Sequence, residues 1–176
     1  MCPASSRTGG RILSRAKVAL VAAVLAGTLG ASARAQDLQA TLVPLDPSST
    51  QLFGQSVALQ GDLAVIGATG DTSNAGSAYV FRRTLGVWGQ ELKLEPADLE
   101  ATDLFGAGTA NDADLIAVGA PDALDVFGGG SPGSGAVSIF PDTGGTWPQQ
   151  SRLTAADSEN FDQLGRSVAA QGDVVV

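Results

Sequence analysis

The stretch FGQSVALQGDLAVIGA, residues 53–68, decides the fold because it recurs along the chain. Its counterparts are FGAGTANDADLIAVGAP at 105–121 and LGRSVAAQGDVVV at 164–176. The starts of these stretches lie 52 and then 59 residues apart. Repetition at such a period predicts an array of similar structural units that pack on one another.

Residues outside this stretch repeat as well. An Asp lies seven residues before each start, and Gly, Phe, Trp and Leu follow at spacings of 5, 7 and 6 residues in both complete units. The residues concerned are Asp46, Asp98 and Asp157, then Gly76, Phe81, Trp88 and Leu94, and Gly135, Phe140, Trp147 and Leu153. The seven extra residues of the second unit fall within 122–134, which is rich in Gly, Ser and Pro and is typical of a surface loop.

Each unit has the pattern of four short strands. In the first unit, apolar or alternating segments at 55–59, 63–67, 77–83 and 90–95 are separated by turn residues, with Trp88 in the turn 84–89. The second unit repeats them at 107–111, 115–119, 136–140 and 149–154, and a third begins at 166–170 and 174–176. The segment Gln39–Val43 resembles an additional outer strand. No apolar period of 3.6 residues is sustained, so no helix is predicted after residue 35.

These strands predict an all-β fold, with four-stranded antiparallel blades of a β-propeller. One blade cannot cover both of its apolar faces, so neighbouring blades stack. The predicted propeller is incomplete, with about two and a half blades in the domain 36–176 and units that start near 53, 105 and 164. An open β-meander or a solenoid is the alternative. Because the third unit stops in mid-strand, we expect the sequence to be a fragment of a longer repeat protein.

Residues 1–35 have the pattern of a secretory signal peptide. Basic residues at Arg7, Arg11, Arg15 and Lys17 precede an apolar segment at 18–31, and Ala33-Arg34-Ala35 is typical of a cleavage site. The alternative is a membrane-spanning helix, which needs about 20 apolar residues, more than this segment has. The sequence therefore predicts export to the cell surface or the medium, with no membrane span after cleavage.

Composition excludes several classes of function. The chain has no His and one Cys, so it has neither a Ser-His-Asp triad nor a Cys₄ zinc site. It has ten basic residues against 18 acidic ones, and five of the basic residues lie within 1–35. The acidic surface that remains repels phosphate backbones, so no nucleic-acid partner is expected.

The repeated stretches, together with GSAYVFRR at 76–83 and GAVSIF at 135–140, resemble FG-GAP repeats, the blades of the integrin α-subunit propeller. They look most like the bacterial FG-GAP-like variety, and the resemblance spans about residues 38–176. In this family, many blades carry a calcium loop of the form D-x-[DN]-x-D-G between their first two strands. Here the connections 60–62, 111–114 and 171–173 are too short to supply six or more oxygen ligands. We therefore expect no calcium, no other cofactor and no metal site.

Three acidic residues are candidates for ligand binding. Asp71 and Asp122 follow the Gly-Ala pairs in similar places, and Asp125 lies in the inserted loop. Such carboxylates could contact a cation or polar ligand at one rim, or they could form Asx turns with their own backbone.

The other recurring side chains have structural interpretations. Asp46, Asp98 and Asp157 occur once per unit, whereas catalysis needs one site, so we expect them to cap the turn that leads to each Phe-Gly pair. A glycosidase pair such as Asp98 and Glu100 has nothing to place it in a cleft. Trp88 and Trp147 are predicted to pack between blades, with sugar stacking as the alternative.

The predicted function is an exported, non-catalytic binding module that mediates contacts at the cell surface or outside the cell. Its partner would be a protein or glycan, with neighbouring blades as contacts within the chain, and the loop Ala120–Gly135 is the expected contact region. An accessory propeller of a larger exported enzyme and a purely structural surface repeat are the alternatives.

Overall fold

Two apolar runs of six residues, LAVIGA and LIAVGA, form the buried second strand of two similar sheets. The computed structural model describes residues 38–112, 114–124 and 132–176. Both sheets have four antiparallel strands in sequential order, and all of their strands lie within the compact unit Ala40–Val176. The described residues contain strands and no helix, so the predicted all-β class and its four-stranded blades are confirmed.

The two blades have matching strands. Blade 1 comprises β1 (Phe53–Gln60), β2 (Leu63–Ala68), β3 (Ser77–Thr84) and β4 (Val87–Leu94), and blade 2 comprises β5 (Gly108–Asp112), β6 (Leu115–Ala120), β7 (Ala136–Pro141) and β8 (Ser151–Leu153). A third unit has a short hairpin of β9 (Ala170–Gln171) and β10 (Val174–Val175). The sheets are thus blades of a propeller, two of them complete in strand number.

The largest apolar core lies between the two blades. Because successive strand residues face opposite sides, Leu63 and Val65 point toward blade 2 while Ala64 and Ile66 point away. Blade 2 contributes Ile116 to the same core. A smaller core lies between blade 2 and the third unit, so each unit covers a face of the one before it.

The Phe-Gly pair, which is Leu-Gly in the third unit, forms the two central residues of a four-residue turn at the start of each unit. The N–H groups of Gln55, Ala107 and Arg166 donate to the carbonyl three residues earlier, at 3.3, 3.1 and 3.1 Å. The glycine at the third position has a φ of +93°, +94° and +88° in Gly54, Gly106 and Gly165. Residues with a Cβ adopt this conformation only with strain, which explains why the motif requires glycine.

A second glycine allows the blades to approach closely. A Cβ added to Gly67 in β2 would lie 1.9 Å from the carbonyl oxygen of Gly106, and one added to Gly119 in β6 would lie 1.8 Å from that of Gly165. In addition, the Ser56 hydroxyl donates to the Gly106 carbonyl at 2.7 Å. The motif glycine of each unit therefore packs on the second strand of the preceding blade.

The loop after the second strand joins each blade to the next. Gly76 forms a parallel bridge with Phe105, and Gly135 forms the equivalent bridge with Leu164. Beside them, the Phe105 N–H donates to the Ala75 carbonyl at 2.8 Å, and the Leu164 N–H donates to the Ser134 carbonyl at 3.0 Å. The end of each loop is consequently fixed by backbone hydrogen bonds.

Some strand predictions are wrong in detail. No strand forms at 39–43. The side chain of Leu42 packs on blade 1 instead, and the Leu45 N–H donates a hydrogen bond to Gln90 Oε1 at 2.8 Å. Trp88 lies in β4, because the turn is only Leu85-Gly86, with φ values of +51° and +83°. The third unit pairs over fewer residues than predicted.

The predicted signal peptide, residues 1–35, lies outside the described residues, as does Asp125. The remaining candidate residues, Asp71 and Asp122, are described and lie at the same end of the blades.

Candidate interaction surface

The connector rim is the end of the blades where the loops after the second strands meet the segments between blades. It comprises residues 68–76, 95–107, 120–124, 132–135 and 154–166. The short hairpin turns between first and second strands lie at the opposite end. Loops held on a rigid scaffold commonly carry binding functions, so this rim is the candidate interaction surface.

Asp71 takes part in an internal polar network. Its carboxylate accepts hydrogen bonds from the Ser77 hydroxyl at 2.6 Å, from the Tyr79 hydroxyl at 3.2 Å and from the Thr72 N–H at 3.0 Å. Lys93 Nζ lies 2.7 Å from Asp71 Oδ2. These contacts use the carboxylate oxygens internally, which favours the structural interpretation of Asp71 over ligand binding.

Lys93 is the centre of this network. Its ammonium group lies 3.0 Å from Asp46, 2.7 Å from Asp71 and 2.8 Å from Glu95, and 5.5 Å from the ring centroid of Tyr79. Burial alone would raise the pKa of Asp71, but the hydrogen bonds from Lys93 and Ser77 outweigh it and lower the pKa to about 2. Burial would lower the pKa of Lys93, and the three carboxylates instead raise it.

The same ion pair recurs in blade 2. Arg152 occupies the place of Lys93 in the outer strand, and its Nη1 lies 2.9 Å from Asp98 Oδ2. Asp98 in turn occupies the place of Asp46. Burial would raise the pKa of Asp98, but the hydrogen bond from Arg152 lowers it. The recurring Asp therefore joins the segment before a blade to the outer strand of that blade, a pairing that the sequence pattern did not predict.

A different position caps the turn before each motif. Glu100 N–H donates to Asp103 Oδ2 at 2.9 Å, and the equivalent N–H groups of Glu159 and Ser48 donate to Asp162 and Gln51 at 2.7 and 3.4 Å. The prediction that Asp46, Asp98 and Asp157 have this role is therefore wrong. Burial raises the pKa of Asp103, although the hydrogen bond from Glu100 opposes it.

Asp71 and Asp122 are not equivalent positions, contrary to what their place after the Gly-Ala pairs predicted. The N–H groups of Gly70 and Asp122 donate to the carbonyls of Gln51 and Asp103 at 3.0 and 3.2 Å. Because Gln51 and Asp103 are equivalent, Asp122 corresponds to Gly70. Asp71 then corresponds to Ala123, which has no carboxylate. Asp122 itself accepts a hydrogen bond from the Gln163 amide at 3.4 Å.

The two Trp residues have different surroundings. Trp147 is buried in the core between blades 1 and 2, and its Nε1 donates to Glu91 Oε1 at 3.4 Å. This confirms inter-blade packing for Trp147. Trp88 is half-buried on the other side of blade 1, where the Arg83 guanidinium lies 5.5 Å from its ring centroid.

The hairpin turns at the opposite end are joined through Asp112. Its carboxylate accepts from the Gln60 side chain in blade 1 and from the Gly172 N–H in the third unit. These two hydrogen bonds lower the pKa of Asp112. Among the described residues, no group of three or more His, Cys, Asp or Glu side chains is arranged to hold a metal ion.

Phe161 is an exposed aromatic residue of the rim that was not among the predicted site residues. It is 73% exposed, and its N–H donates to the Pro132 carbonyl at 3.0 Å. It has a φ of +68°, close to that of its counterpart Thr102, +79°. The signal in the sequence is the exchange of a Thr for a large apolar residue at the same position of the repeat.

Comparison with known families agrees with this architecture. The FG-GAP repeat profile matches residues 37–81, 88–140 and 147–176, which together make up most of the chain. The chain belongs to the FG-GAP repeat family. Each of the first two matches ends in the third strand of a blade, and the second starts in β4, so the FG-GAP repeat is offset from the blade by about one strand. A comparison with curated proteins gives no match.

FG-GAP repeats of this kind form a propeller-type interaction module. In the parts of the chain that the structure describes, no helix combines the length and the apolar character that a membrane crossing requires.

Proposed function

We propose that this FG-GAP protein is exported and acts as a non-catalytic interaction module, which contacts a protein or glycan through the connector rim. The observation that carries the proposal is Phe161, a large apolar side chain that is exposed on the rim. Exposed aromatic side chains on rigid backbone are typical contact residues for proteins and sugars.

The rim supports this role because the backbone around Phe161 is held by hydrogen bonds to a neighbouring loop. Residues 132–135 are hydrogen-bonded to 161–164, so Phe161 is presented by two segments that hold each other. A preorganised contact residue loses little conformational entropy on binding. The rim carboxylates Asp71 and Asp103 have internal hydrogen bonds, which leaves the aromatic side chain as the more accessible contact.

The contact is tested by binding of the labelled full chain to intact cells. Phe161→Asn should lower binding about tenfold or more, since Asn tolerates positive φ while the apolar contact is lost. Leu85→Asn is the matched control, because Leu85 is fully exposed and has a φ of +51° but lies at the opposite end. Equal binding by the two variants would refute the rim as the contact surface.

Export is tested separately by expressing the chain with and without residues 1–35 and assaying the protein outside the cytoplasm. We expect the full sequence to appear at the cell surface or in the medium and the shortened chain to stay inside. Retention of both forms would refute export without affecting the assignment of the contact surface.

A further inference from the structure

A cavity of about 210 Å³ lies at the connector rim where the three units meet. Its lining residues come from every unit: Gln55 and Thr69 from the first, Leu104, Ala107 and Pro121 from the second, and Arg166 from the third. Gln55, Ala107 and Arg166 occupy one position of the repeat, directly after the motif glycine. This single repeat position therefore contributes half of the lining residues and the one charged side chain among them.

Arg166 differs from the other basic residues of the described part of the chain. Arg82, Arg83, Lys93 and Arg152 each have a carboxylate within 4.0 Å, whereas no ion pair is formed by Arg166 with any described residue. Its Nη1 donates to Gln163 Oε1 at 2.8 Å. A guanidinium has five N–H donors, so this bond leaves donors for a ligand.

Gln163 forms hydrogen bonds with both Arg166 and the rim carboxylate of Asp122. Its amide oxygen accepts from Arg166, while its amide nitrogen donates to Asp122 Oδ1 at 3.4 Å. The amide thus orients the guanidinium without neutralising its charge. In an otherwise acidic chain of net charge −8, an uncompensated cation beside a cavity is an unusual combination.

We propose that this cavity binds a carboxylate group. The Arg166 guanidinium has the planar geometry that pairs with both oxygens of a carboxylate, and Gln55 and Thr69 can supply further donors. Since a water molecule occupies about 30 Å³, the cavity has room for a group the size of acetate together with some water. The carboxylate could belong to a small organic acid or to an Asp or Glu side chain of a protein partner.

The charge of the chain restricts the ligand further. A net charge of −8 repels anions at long range, so recognition depends on contacts within the cavity. A ligand with one carboxylate should therefore bind better than one with several. This inference deepens the proposed function. Its biological role rests on the proposed role of the connector rim, whereas carboxylate binding itself does not.

The test is a titration of the full chain with sodium acetate, followed by ¹H–¹⁵N NMR at constant ionic strength. We expect saturable shifts of the backbone amides of Ala107 and Arg166, and weaker effects of citrate and phosphate. Arg166→Gln should weaken acetate binding about tenfold or more, and Arg166→Lys should weaken it less. Arg83→Gln is the matched control because Arg83 is paired with Asp62 at the opposite end.

A blocked peptide, acetyl-Gly-Glu-Gly-amide, distinguishes the two sources of the carboxylate. Binding of the peptide at least as tight as that of acetate indicates a protein side chain, and binding of acetate alone indicates a small acid. Absence of saturable shifts, unchanged binding by Arg166→Gln, or tighter binding of phosphate would overturn the inference. Because these measurements involve no cells, any of those results would leave the Phe161 contact and export standing.

Discussion

The motif glycines of blades 1 and 2 have the same backbone conformation and different surroundings. Gly54 and Gly106 have φ values of +93° and +94°. A Cβ on Gly106 would lie 2.5 Å from the Ser77 carbonyl oxygen and 3.0 Å from the Ala68 nitrogen, whereas a Cβ on Gly54 would meet no described atom within 4 Å. The difference separates two roles of the motif, the conformation of a turn and the packing of one blade on another.

The same contrast between an exposed and a packed surface is seen when the side of blade 1 that carries Gly54 is compared with the equivalent side of blade 2, which packs on blade 1. Val57 and Leu59 in β1 are 62% and 65% exposed, while their counterparts Thr109 and Asn111 are only partly exposed against blade 1. Blade 1 thus has on this side an open strip beside Gly54. Among the described residues, this face has the residue types of a blade interface without the contacts seen at the other interfaces.

The largest expected effect comes from replacing each of these glycines by alanine. Both variants suffer the strain of positive φ, about 1 kcal/mol or more, but Gly106→Ala also forces backbone apart between the blades. We expect Gly106→Ala to lower the free energy of unfolding by about 3 kcal/mol and Gly54→Ala by about 1 kcal/mol. Urea unfolding of both variants measures the difference, which isolates the packing contribution. Equal losses would show that the motif glycine serves the turn alone.

A medium effect is expected from the polar network around Lys93, of which blade 2 keeps only the ion pair between Arg152 and Asp98. Asp71 has a folded pKa of about 2 against an ordinary 3.8, so its contribution to stability is complete above about pH 4 and is lost as the pH falls through 2. At neutral pH this contribution is on the order of 2 kcal/mol. Asp71→Asn should therefore destabilise the protein at pH 7 and differ little from the native chain near pH 2.

Chemical unfolding of both proteins between pH 2 and pH 7 tests this. Ala123→Asp provides the comparison in blade 2, where Ser138 replaces Tyr79 and the Arg152–Asp98 pair is the part of the network that recurs among the described residues. A constant difference between Asp71→Asn and the native chain across the pH range would contradict the assignment of the low pKa.

The smallest effect is expected at the capping position of the turn. Blade 1 has Gln51 and blade 2 has Asp103, which is 3% exposed. Burial raises the pKa of Asp103, so the folded state favours its protonated form and stability falls as the pH rises through that pKa. Asp103→Asn keeps an acceptor for the Glu100 N–H, and we expect a change within about 0.5 kcal/mol at pH 7. A loss of about 2 kcal/mol in thermal or urea unfolding would show that the charge itself is required.

Sequence periodicity was sufficient to predict the blades. The recurrence of Phe-Gly, the apolar second strands and the location of the seven-residue insertion all follow from residue type and spacing, and each has a direct structural counterpart. Positive φ and close backbone approach both require glycine, so these positions carry a strong signal. The family assignment has the same basis.

The candidate site was less predictable because polar contacts depend on register across loops. Asp71 and Asp122 look alike beside a Gly-Ala pair, but backbone hydrogen bonds align Asp122 with Gly70. The pairing of Asp46 with Lys93 joins residues 47 apart in sequence, and nothing local marks it. Side-chain exposure, which distinguishes Phe161, depends on packing of three units and cannot be read from spacing.

The loops that follow the second strands of blades 1 and 2 differ in length by seven residues, but equivalent backbone hydrogen bonds close both of them. Gly76 N–H donates to the Asp71 carbonyl at 3.0 Å, and Gly135 N–H donates to the Ala123 carbonyl at 3.1 Å. The seven extra residues therefore lie, in sequence, between the two residues joined by this hydrogen bond, and both sheets keep four strands in the same order. Because the same hydrogen bond closes a short and a long loop, this loop can accept peptide segments of different length and sequence. Foreign peptide epitopes could therefore be inserted here while the four-stranded blade is retained.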